Sequence, residues 1–121
     1  MILVPTSIGE LLDKISILMI KSEKTANEFV HKELNHLISL AKEHHVYDDS
    51  DINDLLLVNR ELWHIEDSLR QCEKDNMFNE KFIDLARRVY INNDERCRIK
   101  REINERVNSE YREIKVYNND K

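Results

Sequence analysis

The sequence predicts an all-α protein, an antiparallel three-helix bundle with a long first helix and short extended segments at both termini. Three observations predict it. One Gly and one Pro in 121 residues cannot furnish the loops of an all-β fold. Charged residues at 36 % and apolar residues at 40 % are the balance of a helical chain. Apolar residues recur at steps of three and four along most of the length. A chain of this length predicts one helical domain spanning residues 1–121.

Residues 1–4 (MILV) read as extended, and Pro5 keeps them from running into a helix. Ser7 opens S-I-G-E, the pattern of a capping box in which Ser7 meets the amide of Glu10 and Glu10 reaches back. Apolar residues then fall at 8, 12, 15, 19, 26, 30, 34, 37 and 41, which predicts one helix to about residue 43. The SEKT stretch is the place for a kink. A turn at residues 48–51 precedes a second helix, with Ser50 or Asp51 as its cap. That helix carries the stripe Leu55, Val58, Leu62, Ile65, Leu69, Cys72. KDNMFN (74–79) is the next turn, and a third helix starts near Asn79. Asn92, Asn93 and Asp94 mark a possible interruption of it, because these residues favour caps over helix interiors. EIKVY (113–117) reads as a strand-like tail.

Register carries a further expectation. With turns near residues 47 and 77, the second helix reaches only residues 20–43 of the first. The overhang, with Ile8, Leu11, Leu12, Ile15, Leu18 and Met19, would leave a large apolar patch in water. A second subunit is the simplest cover. A homodimer is therefore expected, with MILV of one chain near EIKVY of the other. The alternative is a break at residues 22–24 that folds the overhang back into a four-helix monomer.

Net charge is −5, from 19 basic and 24 acidic side chains, which argues against nucleic acid or an anionic membrane as partner. The longest apolar run, ISILMI, is broken by Ser16 and too short to span a bilayer. MILVP has neither the basic start nor the apolar core of a secretory signal. Cys72 and Cys97 share no metal-ligand spacing and form no disulfide framework, so a reduced, cytoplasmic setting is expected. One glycine supplies no phosphate-binding loop.

Chemistry concentrates on polar lines beside the apolar stripes. NDERCRIKREIN (93–104) holds only three apolar residues, yet it continues a helical rhythm. Within it Asn93, Arg96, Lys100 and Asn104 form one line. The second helix offers Asn59, Trp63, Glu66 and Arg70, and the first offers Glu10, Lys14, Ile17 and Lys21. Register sets Asn59 opposite Glu95 and Arg96, and Glu66 opposite Arg88. The groove so drawn makes Lys14, Lys21, Arg70, Arg96 and Lys100 candidate anion ligands, with Glu10, Asn59, Trp63, Glu66, Asn93 and Asn104 as polar lining. The same positions read equally as ion-paired flanks of helical seams. Trp63 reads first as a core anchor. Glu10 with Asp13, or His44 and His45 with Asp48 and Asp49, lacks the converging ligand set a metal needs, so no metal site is assigned. No catalytic residue and no cofactor are assigned.

Four segments, VPTSIGELLDKISILMIKSEK (4–24), NRELWHIEDSLR (59–70), FIDLARRVYINNDERCRIKREIN (82–104) and the terminal EIKVY, together resemble a family of small uncharacterised bacterial and viral helical proteins, a domain of unknown function. The resemblance implies genes near sugar-transfer and surface-polysaccharide genes, and implies no reaction. The derived architecture is also similar to that of the all-helical chorismate mutases. LDKIS (12–16) lacks their first-helix arginine, with Lys21 the nearest cation, so that activity is not assigned. The expected role is a helical interaction or accessory protein acting as a homodimer. The alternative is a small enzyme or binding protein for a sugar phosphate or nucleotide, with Glu66 as its acid–base residue.

Overall fold

The computed structural model describes residues 1–116 and contains four α-helices among them. They are α1 (Ile8–Lys24), α2 (Glu28–Glu43), α3 (Asp49–Lys74) and α4 (Glu80–Arg106). The expected three-helix bundle is thereby corrected, because the long first helix is two. Ser22 stays inside α1, its hydroxyl donating back to the carbonyl of Met19. The break falls just after, where Thr25 adopts extended backbone and Asn27 caps α2 by accepting from the amide of Phe29 at 2.9 Å. β-Branched Thr and capping Asn end one helix and start the next more cheaply than they continue it.

The fold-back removes the overhang. Leu11, Leu12, Ile15 and Leu18 are all buried, in one cluster with Leu34 and Ala41 of α2, Ile52, Leu55 and Val58 of α3, and Ile99 and Ile103 of α4. α1 is the central helix. It packs against α2 on one side and against the α3–α4 hairpin on the other. The apolar patch that called for a second subunit is therefore covered within the chain.

The hairpin is held along its length by charge. Arg106 near the end of α4 pairs with Asp51 at the start of α3, and Arg88 pairs with Glu61. Asp48 rather than Ser50 or Asp51 caps α3, accepting from the amide of Asp51 at 2.9 Å. α4 runs through Asn92, Asn93 and Asp94 without interruption. Asn92 stays helical by donating its side-chain amide to the carbonyl of Arg88 at 2.8 Å. Beyond the level of Trp63 the hairpin projects past α1 over a second small core of Ile65, Cys72 and Leu85.

Three helices end in a left-handed residue that is not glycine: His45, Asn76 and Asn108, with φ of 58°, 53° and 52°. In each case the next amide returns to a carbonyl five residues earlier, as Ser109 does to Asn104 at 2.8 Å. Neither terminal segment forms a strand among the described residues, and Tyr117 of the expected EIKVY strand lies outside them. Residues 1–4 are exposed.

The single glycine stands where α1 crosses α4. A Cβ on Gly9 would lie 2.7 Å from the carbonyl oxygen of Lys100 and 3.0 Å from Oδ1 of Asn104. Helix propensity favours Ala over Gly by about 1 kcal/mol. A clash with backbone, which cannot swing aside, outweighs that preference, so Gly9 sets how closely the two helices approach.

Candidate functional site

α4 turns Arg96, Lys100 and Asn104 inward onto α1, whereas sequence register sets their line beside the seam of Asn59 and Glu66. At the centre lies Asp13 of α1, whose side chain is wholly buried. Arg96 grips it with two nitrogens: Nε donates to both carboxylate oxygens at 3.0 Å, and Nη2 adds a further bond. Asn59 of α3 donates from Nδ2 to Asp13 at 2.9 Å and to the hydroxyl of Ser16 at 2.8 Å. Three helices thus meet on one carboxylate. Burial of this ion is tolerable only because its lone pairs are filled this completely.

Lys100 lies one turn along α4 and is only 7 % exposed. Its ammonium contacts Glu10 and Glu113 at 2.6 Å each and Asp13 at 3.9 Å. Burial pushes the Lys100 pKa down, but the bonds to Glu10 and Glu113 outweigh it and hold the amine above its ordinary value. The bond from Lys100 lowers the pKa of Glu113. Lys115 stands 3.7 Å from Glu113. Three carboxylates and three cations therefore share this edge, and the site is close to neutral.

The start of α1 is closed by α4 and the segment behind it. Ser7 accepts from the amide of Glu10 at 3.0 Å, the expected half of the capping box. Glu10 does not reach back to Ser7, because its carboxylate is drawn to Lys100. The amide of Gly9 goes instead to Oδ1 of Asn104 at 2.7 Å, and that of Ile8 to the hydroxyl of Ser109 at 3.0 Å. The amides a helix N-terminus leaves open, where an anion would bind, are already occupied by side chains.

The remaining sequence candidates are not brought here. Lys14 pairs with Glu33 of α2 at 3.0 Å. Lys21 is exposed. Trp63 is half-buried under the ammonium of Lys24, 5.3 Å from the ring centroid. Glu66 and Arg70 pair with each other on the exposed projecting hairpin, and Arg88 takes Glu61 rather than Glu66. Asn93 is half-buried one turn before Arg96. Of the anion candidates, only Arg96 and Lys100 enter the site, joined by Glu10, Asn59 and Asn104 from the polar lining. Gly9, Asp13 and Ser16, with Ser109 and Glu113, complete it and were not among the candidates. One signal was legible: Gly9, Asp13 and Ser16 fall at steps of four and three, a small and polar stripe beside the apolar one.

Chemically the arrangement is a lock rather than a receptacle. Every buried side-chain nitrogen and oxygen among the described residues has a hydrogen-bond partner. The cavity beside Lys100, lined by Cys97, Arg101, Asn104, Glu113 and Lys115, measures about 30 Å³. That is room on the scale of one water molecule, not of a sugar phosphate. No group of three or more His, Cys, Asp or Glu among the described residues is placed to hold a metal ion.

A model of a family of unknown function, DUF6165, matches residues 2–120. The chain belongs to this family. No curated protein and no solved structure matches it. Family membership accounts for the resemblance in the charged segments and carries no reaction with it. No helix among the described residues is long and apolar enough to cross a membrane.

Two outcomes follow from the buried cluster. Asp13→Ala strands Arg96 and Asn59, and Arg96→Ala strands a buried carboxylate. Each is expected to cost about 3–5 kcal/mol in denaturant unfolding, with the double variant costing less than the sum. Losses below about 1 kcal/mol, the level of an exposed pair, would contradict the role given to Asp13. The second outcome concerns pH. Because Lys100 holds the folded pKa of Glu113 below the ordinary carboxylate value, its contribution is present above that ordinary value and lost as pH falls through the folded pKa. Glu113→Gln should melt below wild type at neutral pH, and the gap should close on acidification through and below the ordinary carboxylate range. A gap independent of pH would show that the carboxylate charge does not hold this segment.

Proposed function

We propose that this DUF6165 chain is a non-catalytic interaction or accessory protein, built as one helical domain. The observation that carries the reading is the closed state of its best polar site. Arg96 and Lys100 are already matched by Asp13, Glu10 and Glu113, and the α1 amides by Ser109, Asn104 and Ser7. An enzyme leaves a polarised group facing a space that substrate can enter. A setting near sugar-transfer genes in bacteria or their viruses, and a cytoplasmic location suited to the unpaired Cys72 and Cys97, are part of the proposal.

Homodimerisation belongs to it as well, on a different surface from the one the sequence pointed to. The projecting part of the hairpin buries few side chains, and Ile83 and Tyr90, seven residues apart on α4, are each 56 % exposed. Two such hairpins related by a two-fold axis would bury these faces against each other. Wild type is expected to sediment as a dimer at micromolar concentration, and Ile83→Glu with Tyr90→Glu as a monomer. A strictly monomeric wild type removes the dimer from the proposal.

A second reading, a site for a sugar phosphate or nucleotide, has one observation in its favour. Glu113, which covers Lys100, sits in the irregular segment after α4 rather than on a helix, so an anionic ligand has one carboxylate to displace. A melting screen with phosphorylated and carboxylated metabolites separates the two. A ligand at one hundred times its dissociation constant adds about 2.7 kcal/mol of stability. No shift is expected. A saturable shift that Arg101→Ala abolishes would replace the interaction reading with the metabolite one.

A further inference from the structure

The surface of the α3–α4 hairpin turned away from α1 carries a groove that the buried cluster does not use. Asp54, Leu57, Val58 and Glu61 line it from α3, and Asn92, Glu95, Arg98, Ile99 and Glu102 from α4. It encloses about 370 Å³, an order of magnitude more than the cavity beside Lys100. The rotation is clear from sequence spacing. Leu57 lies two residues from both Leu55 and Asn59, which face α1, and two residues are about 200° of helix. Its floor is apolar, made by Val58 and Ile99 of the core. On α4 the lining runs from 92 to 102, roughly 15 Å, or between two and three turns of a docked helix.

Two properties select the occupant. Leu57 is 72 % exposed, an anchor standing in water between Asp54 and Glu61. The rim is acidic. Asp54, Glu61, Glu95 and Glu102 face the groove, countered by Arg98, held by Glu95 and Glu102, by Arg88, held by Glu61, and at one end by Arg106, which pairs with Asp51 and feels Glu102. Among the described residues Asp54 has no ion-pair partner. Such a field repels nucleic acid, anionic lipid and phosphorylated metabolites alike. It attracts a helix whose apolar stripe is flanked by lysine or arginine, which would lay its stripe on Leu57, Val58 and Ile99 and its charges on the rim.

We propose that this groove docks a basic amphipathic helix of a partner protein. The proposal rests on the interaction reading above and names the chemistry of the partner. α1 already fills the opposite side of the same hairpin, and a helix in the groove would cover the side left open.

The test is a fluorescence-anisotropy titration of the full chain with two synthetic helices of about 18 residues, five turns each. They share one leucine face, and the polar face is lysine in one and glutamate in the other. The lysine helix is expected to bind, more weakly as salt rises, and the glutamate helix not at all. Leu57→Ser should weaken binding about tenfold, the equivalent of about 1.4 kcal/mol. Asp54→Lys should weaken it further and flatten the salt dependence. Both positions are exposed, so circular dichroism and melting should stay those of wild type. Absence of binding at about 100 μM overturns the proposal. So does equal binding of both helices, or binding that Leu57→Ser leaves unchanged. If wild type sediments as a dimer and Leu57→Ser as a monomer, the groove belongs to a second copy and the proposal also falls. A failed titration leaves the interaction reading standing, because that reading is decided by the metabolite screen.

Discussion

Everything else in this structure hangs on a carboxylate taken out of water. Asp13 sits on the central helix with no exposed side-chain surface, and an isolated ion there would cost several kcal/mol. The fold compensates with a two-nitrogen grip from Arg96, an amide from Asn59 and the nearby ammonium of Lys100. These partners come from α3 and α4. The cost is recovered only when α1, α3 and α4 meet at one register, which makes the pair a device for specifying that register. Hydrophobic packing alone would tolerate a slide of one turn, because the stripes repeat. A buried ion tolerates none.

The same logic extends along α1. Its first amides are capped by Asn104 and by Ser109, residues about a hundred positions away in the chain. Ser109 is in place because α4 ends in a left-handed Asn108 that turns the chain back. The termination of the last helix thereby completes the start of the first. Gly9 belongs to this arrangement too, since any side chain there would strike the backbone of Lys100. One glycine in the whole chain, spent at a helix crossing, leaves the three left-handed caps to His and Asn.

Polar residues on α4 that look like a solvated charge run are in fact divided between two surfaces. Arg96, Lys100 and Asn104 turn inward onto α1, while Glu95, Arg98 and Glu102 turn outward along the groove. Two residues of offset separate a closed, neutral lock from an open, acidic surface. The first stabilises the molecule. The second stays open to solvent along the groove.

Periodicity, breakers and caps were enough to establish an all-helical chain, the α3 stripe from Leu55 to Cys72, the turn at 74–79 and the alignment of Arg96, Lys100 and Asn104 on one line, though not the direction that line faces. These follow from local rules: 3.6 residues per turn, and the preference of Asn and Asp for helix ends. What the sequence alone could not decide was rotation and connection. Polar residues flank both sides of each apolar stripe, so Glu10, Lys14 and Lys21 could be aligned as readily as Gly9, Asp13 and Ser16. On α3 the line of Asn59, Trp63 and Glu66 was legible but only Asn59 faces the site. The break at residues 25–27 has no proline or glycine to announce it. It is settled by the core, since folding α1 back buries Leu11, Leu12, Ile15 and Leu18 within one chain. Local propensity proposed the helices. The burial of apolar surface and of a single carboxylate decided how they meet.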